Sequence, residues 1–316
     1  MSEFRNPSFF SSHTLPLLIL SGLKRLGLAR QFFTSVMLPR LSAEERKSKA
    51  FAGYEPTAHD VFACTYSKSG TNWLLQVIEQ TAWRGEARFD HIHSVVAWPD
   101  TPHSGVISLS DDSRYRASPT GLRAIKTHVK TDYVPYSEKA VYITVIRDPR
   151  EVTVSGFHFL PAIFGLSGYF SVEEWLEMMQ SSPPPGSWAE HTAGFWGWRD
   201  RPNVLILFFP EIIDDPRGSI RRIAEVMKVT LTEAQLDKVE ERCSLGYMKA
   251  HEDQFGPPLL PFVPRKKRAI MIRAGKTGNS GELLTPAQQD WIDRLMLDEL
   301  ARLGSDFPYV EKFMGG

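Results

Sequence analysis

Cysteine is scarce in this chain, with only Cys64 and Cys243 among 316 residues. Two cysteines exclude a disulfide framework, and a reducing, cytoplasmic setting is expected. A charge of one sign is also missing: 37 Lys plus Arg stand against 37 Asp plus Glu. Without a basic excess, nucleic acid is not an expected partner. No His or Cys cluster has zinc or iron spacing. His91 and His93 stand at i, i+2 with no Cys or His pair nearby, so no metal is expected. Long apolar runs are absent too. The stretch Leu15 to Leu20 is far shorter than the roughly 20 residues that span a bilayer. Arg5 is the only Lys or Arg before it, and no small-residue cleavage site follows, so no signal peptide is expected. Residues 15–39 instead read as helices with Lys24, Arg25 and Arg30 on a polar face. They either pack on the domain or a dimer partner, or lie on a membrane surface or over a greasy substrate.

What is present is an alternation of apolar strands and helical stretches. Residues 61–66, 122–127, 141–146 and 204–209 carry the strongest strand signals. That order predicts an α/β fold, a central parallel sheet with helices on both faces. Residues 1–50 read as an N-terminal helical extension and 51–316 as one domain. A chain of this length buries about three quarters of its unfolded surface. Ser181 to Gly186 is a rigid, proline-rich surface loop, and there is no internal repeat.

The first strand runs into Ser67-Lys68-Ser69-Gly70-Thr71-Asn72-Trp73 and then a helix. Strand, glycine loop, helix is how a chain seats a phosphate-like anion, because loop and first-turn N–H groups converge with positive dipole behind them. A nucleotide-triphosphate loop places its lysine after the second glycine. Here Lys68 comes two residues before Gly70, so the expected anion is not that of ATP. In the third strand's continuation, Asp148 suits an N-cap, Pro149 the first helical position, and Glu151 stands three residues past the cap. Ser155 follows about two turns along. Arg147 and Ser155 either address one point beyond the strand, or Arg147 pairs with a surface carboxylate. The second strand ends in Lys126-Thr127-His128, where open α/β sheets bind ligands. A lone histidine is more often structural than catalytic.

Together these segments resemble the cytosolic sulfotransferase family, sulfotransferase domain type 1. Tyr66 to Trp73 is similar to its 5′-phosphosulfate loop, Tyr-Pro-Lys-Ser-Gly-Thr-Thr-Trp. Residues 147–159 are similar to its 3′-phosphate motif, and Lys126-Thr127-His128 to its Lys-Thr-His. Trp188 to Pro216, Cys243 to Lys249, and Arg273-Ala274-Gly275 with Gly278 and Thr285 follow its later segments in order. The resemblance covers roughly residues 55 to 300. It implies a P-loop-like sulfotransferase fold and transfer of a sulfuryl group from 3′-phosphoadenosine-5′-phosphosulfate (PAPS), without metal. The acceptor it implies is a small or medium hydrophobic alcohol or phenol.

By resemblance, His128 is the general base, Lys68 neutralises the leaving oxygen, and Lys126 stabilises the equatorial oxygens. Ser155 completes that catalytic set. Ser69, Gly70, Thr71 and Asn72 hold the 5′-phosphate; Arg147, Ser155, Arg273 and Gly275 hold the 3′-phosphate. Trp73 stacks on adenine or else is core. Phe209, Cys243 and Leu245 lie on the nucleotide side, and Phe159 in the acceptor pocket with Lys126 and His128. Phe157, Phe164, Tyr169, Phe170, Trp188, Phe195, Trp196 and Trp198 are further pocket candidates or core. Ser67, Asn72, Phe209 and Ala274 depart from the family pattern. Phe209 lacks a tyrosine hydroxyl and Ala274 a lysine, each loss being worth about 1.5–3 kcal/mol unless compensated. Lys276 and the run Arg265 to Arg268 are the candidates to compensate, the run otherwise being a solvated loop. Gly281, Pro286 and Asp290 break the family's dimer motif, so the chain is read as a monomer, or a homodimer formed by another route. Two rival readings remain: a non-catalytic relative that binds PAPS or its product, and a P-loop kinase.

Overall fold

The computed structural model describes residues 22–101, 106–181, 186–256, 270–273 and 275–315. Leu15 to Leu20, Pro183 to Pro185, Arg265 to Arg268 and Ala274 lie outside the described residues.

Four strands form one parallel sheet in the order β2-β1-β3-β4. They are β1 (Asp60–Cys64), β2 (Arg123–Thr127), β3 (Val141–Ile146) and β4 (Val204–Phe208). All four expected strands are present, with ends shifted by at most two residues. Phe209 leaves the sheet to open a short helix, Phe209–Asp214. Pairing is in register from Asp60 opposite Arg123 to Cys64 opposite Thr127, and from Tyr142 opposite Val204 to Ile146 opposite Phe208.

Side chains alternate along each strand, so both sheet faces need cover. Val61, Ala63, Ile143 and Val145 point into a core shared with helices α1 (Thr71–Ala82), α5 (Pro216–Val226) and α6 (Glu233–Cys243). Phe62, Cys64 and Tyr142 enter an opposite core with Phe195 of α4 (Trp188–Trp196). Ile146 joins a further cluster with α7 (Pro286–Arg302). Helices α2 (Pro149–Ile163) and α3 (Val172–Ser181) flank the carboxyl end of β3. The described N-terminal turns, residues 29–41, pack there: Phe33 meets Phe164 and Phe170, and Arg30 pairs with Glu174. Leu26 and Leu28 remain exposed. Among the described residues no helix is long and apolar enough to cross a membrane.

The chain passes from β1 outward to β2, then returns to place β3 on the other side of β1. The crevice where strand order reverses, the place where open α/β sheets bind ligands, therefore opens between the carboxyl ends of β1 and β3. At the opposite end a buried polar clamp fixes β1 to β2. Asp60 accepts from Arg123 Nε at 2.9 Å, from the Tyr54 hydroxyl at 2.6 Å and from the Thr57 amide at 2.7 Å. Removing the carboxylate leaves a buried guanidinium and hydroxyl without their acceptor. Asp60→Ala should destabilise the fold by about 3–5 kcal/mol, read from urea midpoints; a loss under about 1 kcal/mol would show that the clamp does not hold the strands.

Candidate active site

The loop after β1 is built to receive an anion. Gly70, in the left-handed region at φ 93°, precedes α1 and offers no side-chain cap to its first-turn N–H groups. A Cβ at Gly70 would stand 3.2 Å from Phe209 Cδ2 on a left-handed backbone, so a side chain there would be strained and would press on the ring. Lys68 also has a left-handed backbone, φ 68°, unusual for a residue with a side chain. Its carbonyl accepts from Arg147 Nη1 at 3.0 Å, which pins the strained residue. Thr71 Oγ1 shares a 2.6 Å hydrogen bond with Thr65 Oγ1. The Ser69 hydroxyl is fully buried with no partner among the described residues. An orphan hydroxyl beside uncapped N–H groups fits a phosphate or sulfate group.

Positive charge converges on the same place. Lys68 Nζ lies 3.5 Å over the Phe159 ring and 3.8 Å from Met271 Sδ, with no carboxylate in ion-pair range among the described residues. Burial, then Arg147, Lys126 and Arg273, push its ammonium down to about 7. Lys126 Nζ sits 3.4 Å over the Trp98 ring, and burial brings it down to about 7 against the pull of Asp100. Burial without a paired counter-ion thus leaves both amines poised to gain or lose a proton near neutral pH.

His128 stands beside Lys126. Its Nδ1 is 2.7 Å from the Thr65 carbonyl, which can only accept, so Nδ1 carries the proton and Nε2 keeps its lone pair. Burial first, then Lys126, hold the ring well below the usual histidine range, so it is neutral. The His128 amide donates to Asp100 Oδ2 at 3.1 Å. A neutral, oriented imidazole next to desolvated amines is competent to take a proton from a hydroxyl.

Arg147 departs from expectation in its partner. Nε donates to Glu151 at 2.9 Å, and both side chains are buried, so the carboxylate is one turn along α2 rather than on the surface. Asp148 does cap α2, accepting from the Arg150 amide at 2.8 Å. Glu151 does not complete a capping box; it turns inward and accepts from Gly278 N–H as well. Ser155 is half-buried one turn beyond.

The nucleotide side is assembled in part. Leu245 is exposed and abuts Gly275, where a Cβ would come within 2.7 Å of Leu245 Cδ1. Trp73 is half-buried on the main core. Phe209 is buried under the loop, its ring 4.2 Å from the Arg147 guanidinium. Cys243 departs from expectation: it ends α6 inside the main core, and burial pushes its thiol up. The Asn72 amide also turns elsewhere, donating to the Phe255 carbonyl at 3.2 Å. Arg273 reaches Glu282 at 3.2 Å, and Lys276 Nζ reaches the same carboxylate at 2.6 Å.

Of the pocket aromatics, Phe159 alone meets a catalytic candidate, Lys68. Phe170, Trp188 and Phe195 are core; Phe157 and Phe164 pack toward the N-terminal turns. Sequence reasoning missed Trp98, Asp100, Glu151 and Met271 as neighbours of the site. Only Glu151 had a signal, its i, i+4 spacing from Arg147.

Because Lys68 and Lys126 lie near 7 without an anion, a bound phosphate should raise them toward their ordinary range and draw in protons. At pH 8, binding of 3′-phosphoadenosine-5′-phosphate (PAP), the product of the donor that the resemblance implies, should take up about one proton per lysine it meets. Apparent affinity should then weaken from pH 7 to 9. Calorimetry in buffers of different ionisation heat reads this; a binding heat independent of buffer would mean that the amines are already charged.

The sulfotransferase domain family matches this chain over residues 58–304. Human sulfotransferase 2A1 is 30% identical over 260 residues, covering 79% of this chain and 87% of that protein. Among solved structures, retinol dehydratase in complex with androsterone and inactive cofactor PAP superposes with a TM-score of 0.63. It is 19% identical and covers 81% of this chain and 85% of that one. Mouse sulfotransferase SULT7A1 complexed with PAP gives a TM-score of 0.60 at 21% identity, covering 83% and 91%. At these identities the structural likeness is one of fold. The match runs from just before β1 to just past α7, so it takes in all four strands of the described residues and each loop that carries the cations. On that span, the chain belongs to the sulfotransferase family.

Proposed function

We propose that this protein transfers the sulfuryl group of PAPS to the hydroxyl of a small or medium hydrophobic alcohol or phenol. The observation that carries the reading is the meeting of Lys68, Lys126 and neutral His128 at the β1–β3 crevice, with the Ser69 hydroxyl and the α1 first turn unpartnered beside them. Bound there, PAPS supplies an activated sulfuryl group whose departure leaves negative charge on a phosphate oxygen.

The chain's own residues answer each demand of that transfer. The amides and hydroxyls of Ser69 to Asn72 hold the 5′-phosphate at the helix start. In this reading Lys68 neutralises the departing oxygen and Lys126 meets charge on the transferred group; fixed positive groups lower such a barrier without reorganising. His128 Nε2 takes the acceptor's proton while the Thr65 carbonyl keeps the tautomer fixed. Arg147, Ser155, Arg273 and the Gly275 backbone take the 3′-phosphate, with Leu245 and Trp73 on the adenine. Phe159, Trp98 and Met271 surround the amines with apolar surface, which suits a greasy acceptor. The androsterone in the retinol dehydratase complex supports that acceptor class. Buried free thiols at Cys64 and Cys243 suit a reducing, cytoplasmic setting. The kinase reading is disfavoured because Asp148, its candidate metal ligand, is engaged as the α2 cap and with Arg150.

Calorimetric titration should show PAP binding at micromolar concentration, with 5′-AMP and ATP much weaker. Tighter binding of ATP with Mg²⁺ would overturn the reading. With an acceptor found by screening hydrophobic alcohols and phenols, His128→Ala should lower turnover by about 10²–10⁴-fold while PAP affinity stays the same. Undiminished turnover would remove His128 from the base role. PAP binding without turnover on any acceptor would instead favour a non-catalytic relative.

A further inference from the structure

A carboxylate stands inside the cluster of cations. Glu151 is 4% exposed, and Arg147, its partner, 8%. One Glu151 oxygen accepts from Arg147 Nε at 2.9 Å, and the other from the backbone N–H of Gly278. Through Arg147 the connection continues: Nη1 donates to the Lys68 carbonyl at 3.0 Å, and Nη2 approaches the Lys276 carbonyl at 3.5 Å. A guanidinium has five N–H groups. Three are engaged in this way, and one on each terminal nitrogen is left over. The fork is therefore held by protein on three sides while two donors stay available.

Taken as charge alone, Glu151 is misplaced. A carboxylate beside an anion-binding arginine weakens the attraction for phosphate and opposes the field of Lys68 and Arg273. What it supplies is geometry. It fixes the guanidinium plane, and it ties the late loop, through Gly278, to the first turn of α2.

We infer that Glu151 is a positioning residue for recognition of the cofactor's 3′-phosphate. It couples the orientation of Arg147 to the seating of the segment 275–278, so that one set of bonds forms the pocket. This inference rests on the proposal that the site takes a 3′,5′-bisphosphorylated adenosine.

Charge and positioning predict opposite signs for Glu151→Gln. The amide loses the negative charge, keeps one acceptor oxygen, and turns an NH₂ toward a donor. If Glu151 positions Arg147, PAP affinity should fall about tenfold, while 5′-AMP, which lacks the 3′-phosphate, changes less than twofold. Amide hydrogen exchange across 275–280 should slow on PAP binding in the native protein and not in the variant. Tighter PAP binding would mean that Glu151 is merely an opposing charge, and an equal loss for both nucleotides would make it a general brace; either overturns the inference. Glu151→Asp, which keeps the charge on a stem one methylene shorter, gives the same PAP to 5′-AMP comparison if the glutamine variant does not fold. A native protein that fails to prefer PAP over 5′-AMP would refute the proposed cofactor itself, and this inference with it.

Discussion

Positive charge kept from both water and carboxylates is the constraint around which this site is arranged. Lys68 and Lys126 have aromatic rings beneath their ammonium groups where ion pairs would ordinarily be. Aromatic faces attract a cation but do not neutralise it, so burial pulls both amines down to about 7. The folded chain carries this electrostatic cost so long as no anion is bound. An anion bound beside them would relieve it, so that binding energy and preorganised charge would come from the same atoms. Had Glu or Asp paired with these lysines, the fold would be less burdened and the site would have little to offer an anion.

Thr65 joins the anion loop to the histidine. Its amide donates to the Thr127 carbonyl, which extends the β1–β2 ladder one step past the strand. Its carbonyl fixes the His128 tautomer, and its hydroxyl bonds Thr71 in the first turn of α1. One residue thereby sets the distance between the imidazole and the loop. Asp100 supports the arrangement from behind by accepting from the His128 amide, and burial pushes its carboxyl up. The imidazole meets a neutral carbonyl on Nδ1, and the rise in basicity that this bond gives is outweighed by burial and Lys126. It stays neutral, with Nε2 available to a hydroxyl.

Local patterning made the sheet legible: β-branched runs such as Val141–Ile146 can hardly be anything but buried strands, and the Asp148-Pro149 helix start is set by capping alone. The loop order Lys68, Ser69, Gly70 between a strand and a helix likewise reads as an anion loop, because glycine permits a left-handed turn that leaves the first-turn N–H groups free to converge. Tertiary choice is what the sequence could not display. Glu151 has the spacing for a capping box and also for an i, i+4 pair with Arg147, and only the packing of the 275–278 loop decides between them. Trp98 and Asp100 sit in an irregular segment with no periodicity, so their approach to Lys126 and His128 was invisible. Cys243 lies next to nucleotide-side residues in sequence, yet the last turn of α6 rotates it into the core. Aromatics misled for a related reason: the same ring can line a pocket or fill a core, and Trp188 and Phe195 fill one.

Phe209 illustrates how a departure from a family pattern can be absorbed. A tyrosine hydroxyl at this position would need a hydrogen-bond partner at a site that is 8% exposed. The phenylalanine ring needs none. It forms the floor on which Gly70 rests, 3.2 Å from where a Cβ would be, and its face lies 4.2 Å from the Arg147 guanidinium. The loop and the arginine are therefore steadied by contact and by cation–π attraction in place of a polar bond. That exchange leaves the shape of the loop intact, because the loop's height is set by the ring and its left-handed turn by Gly70.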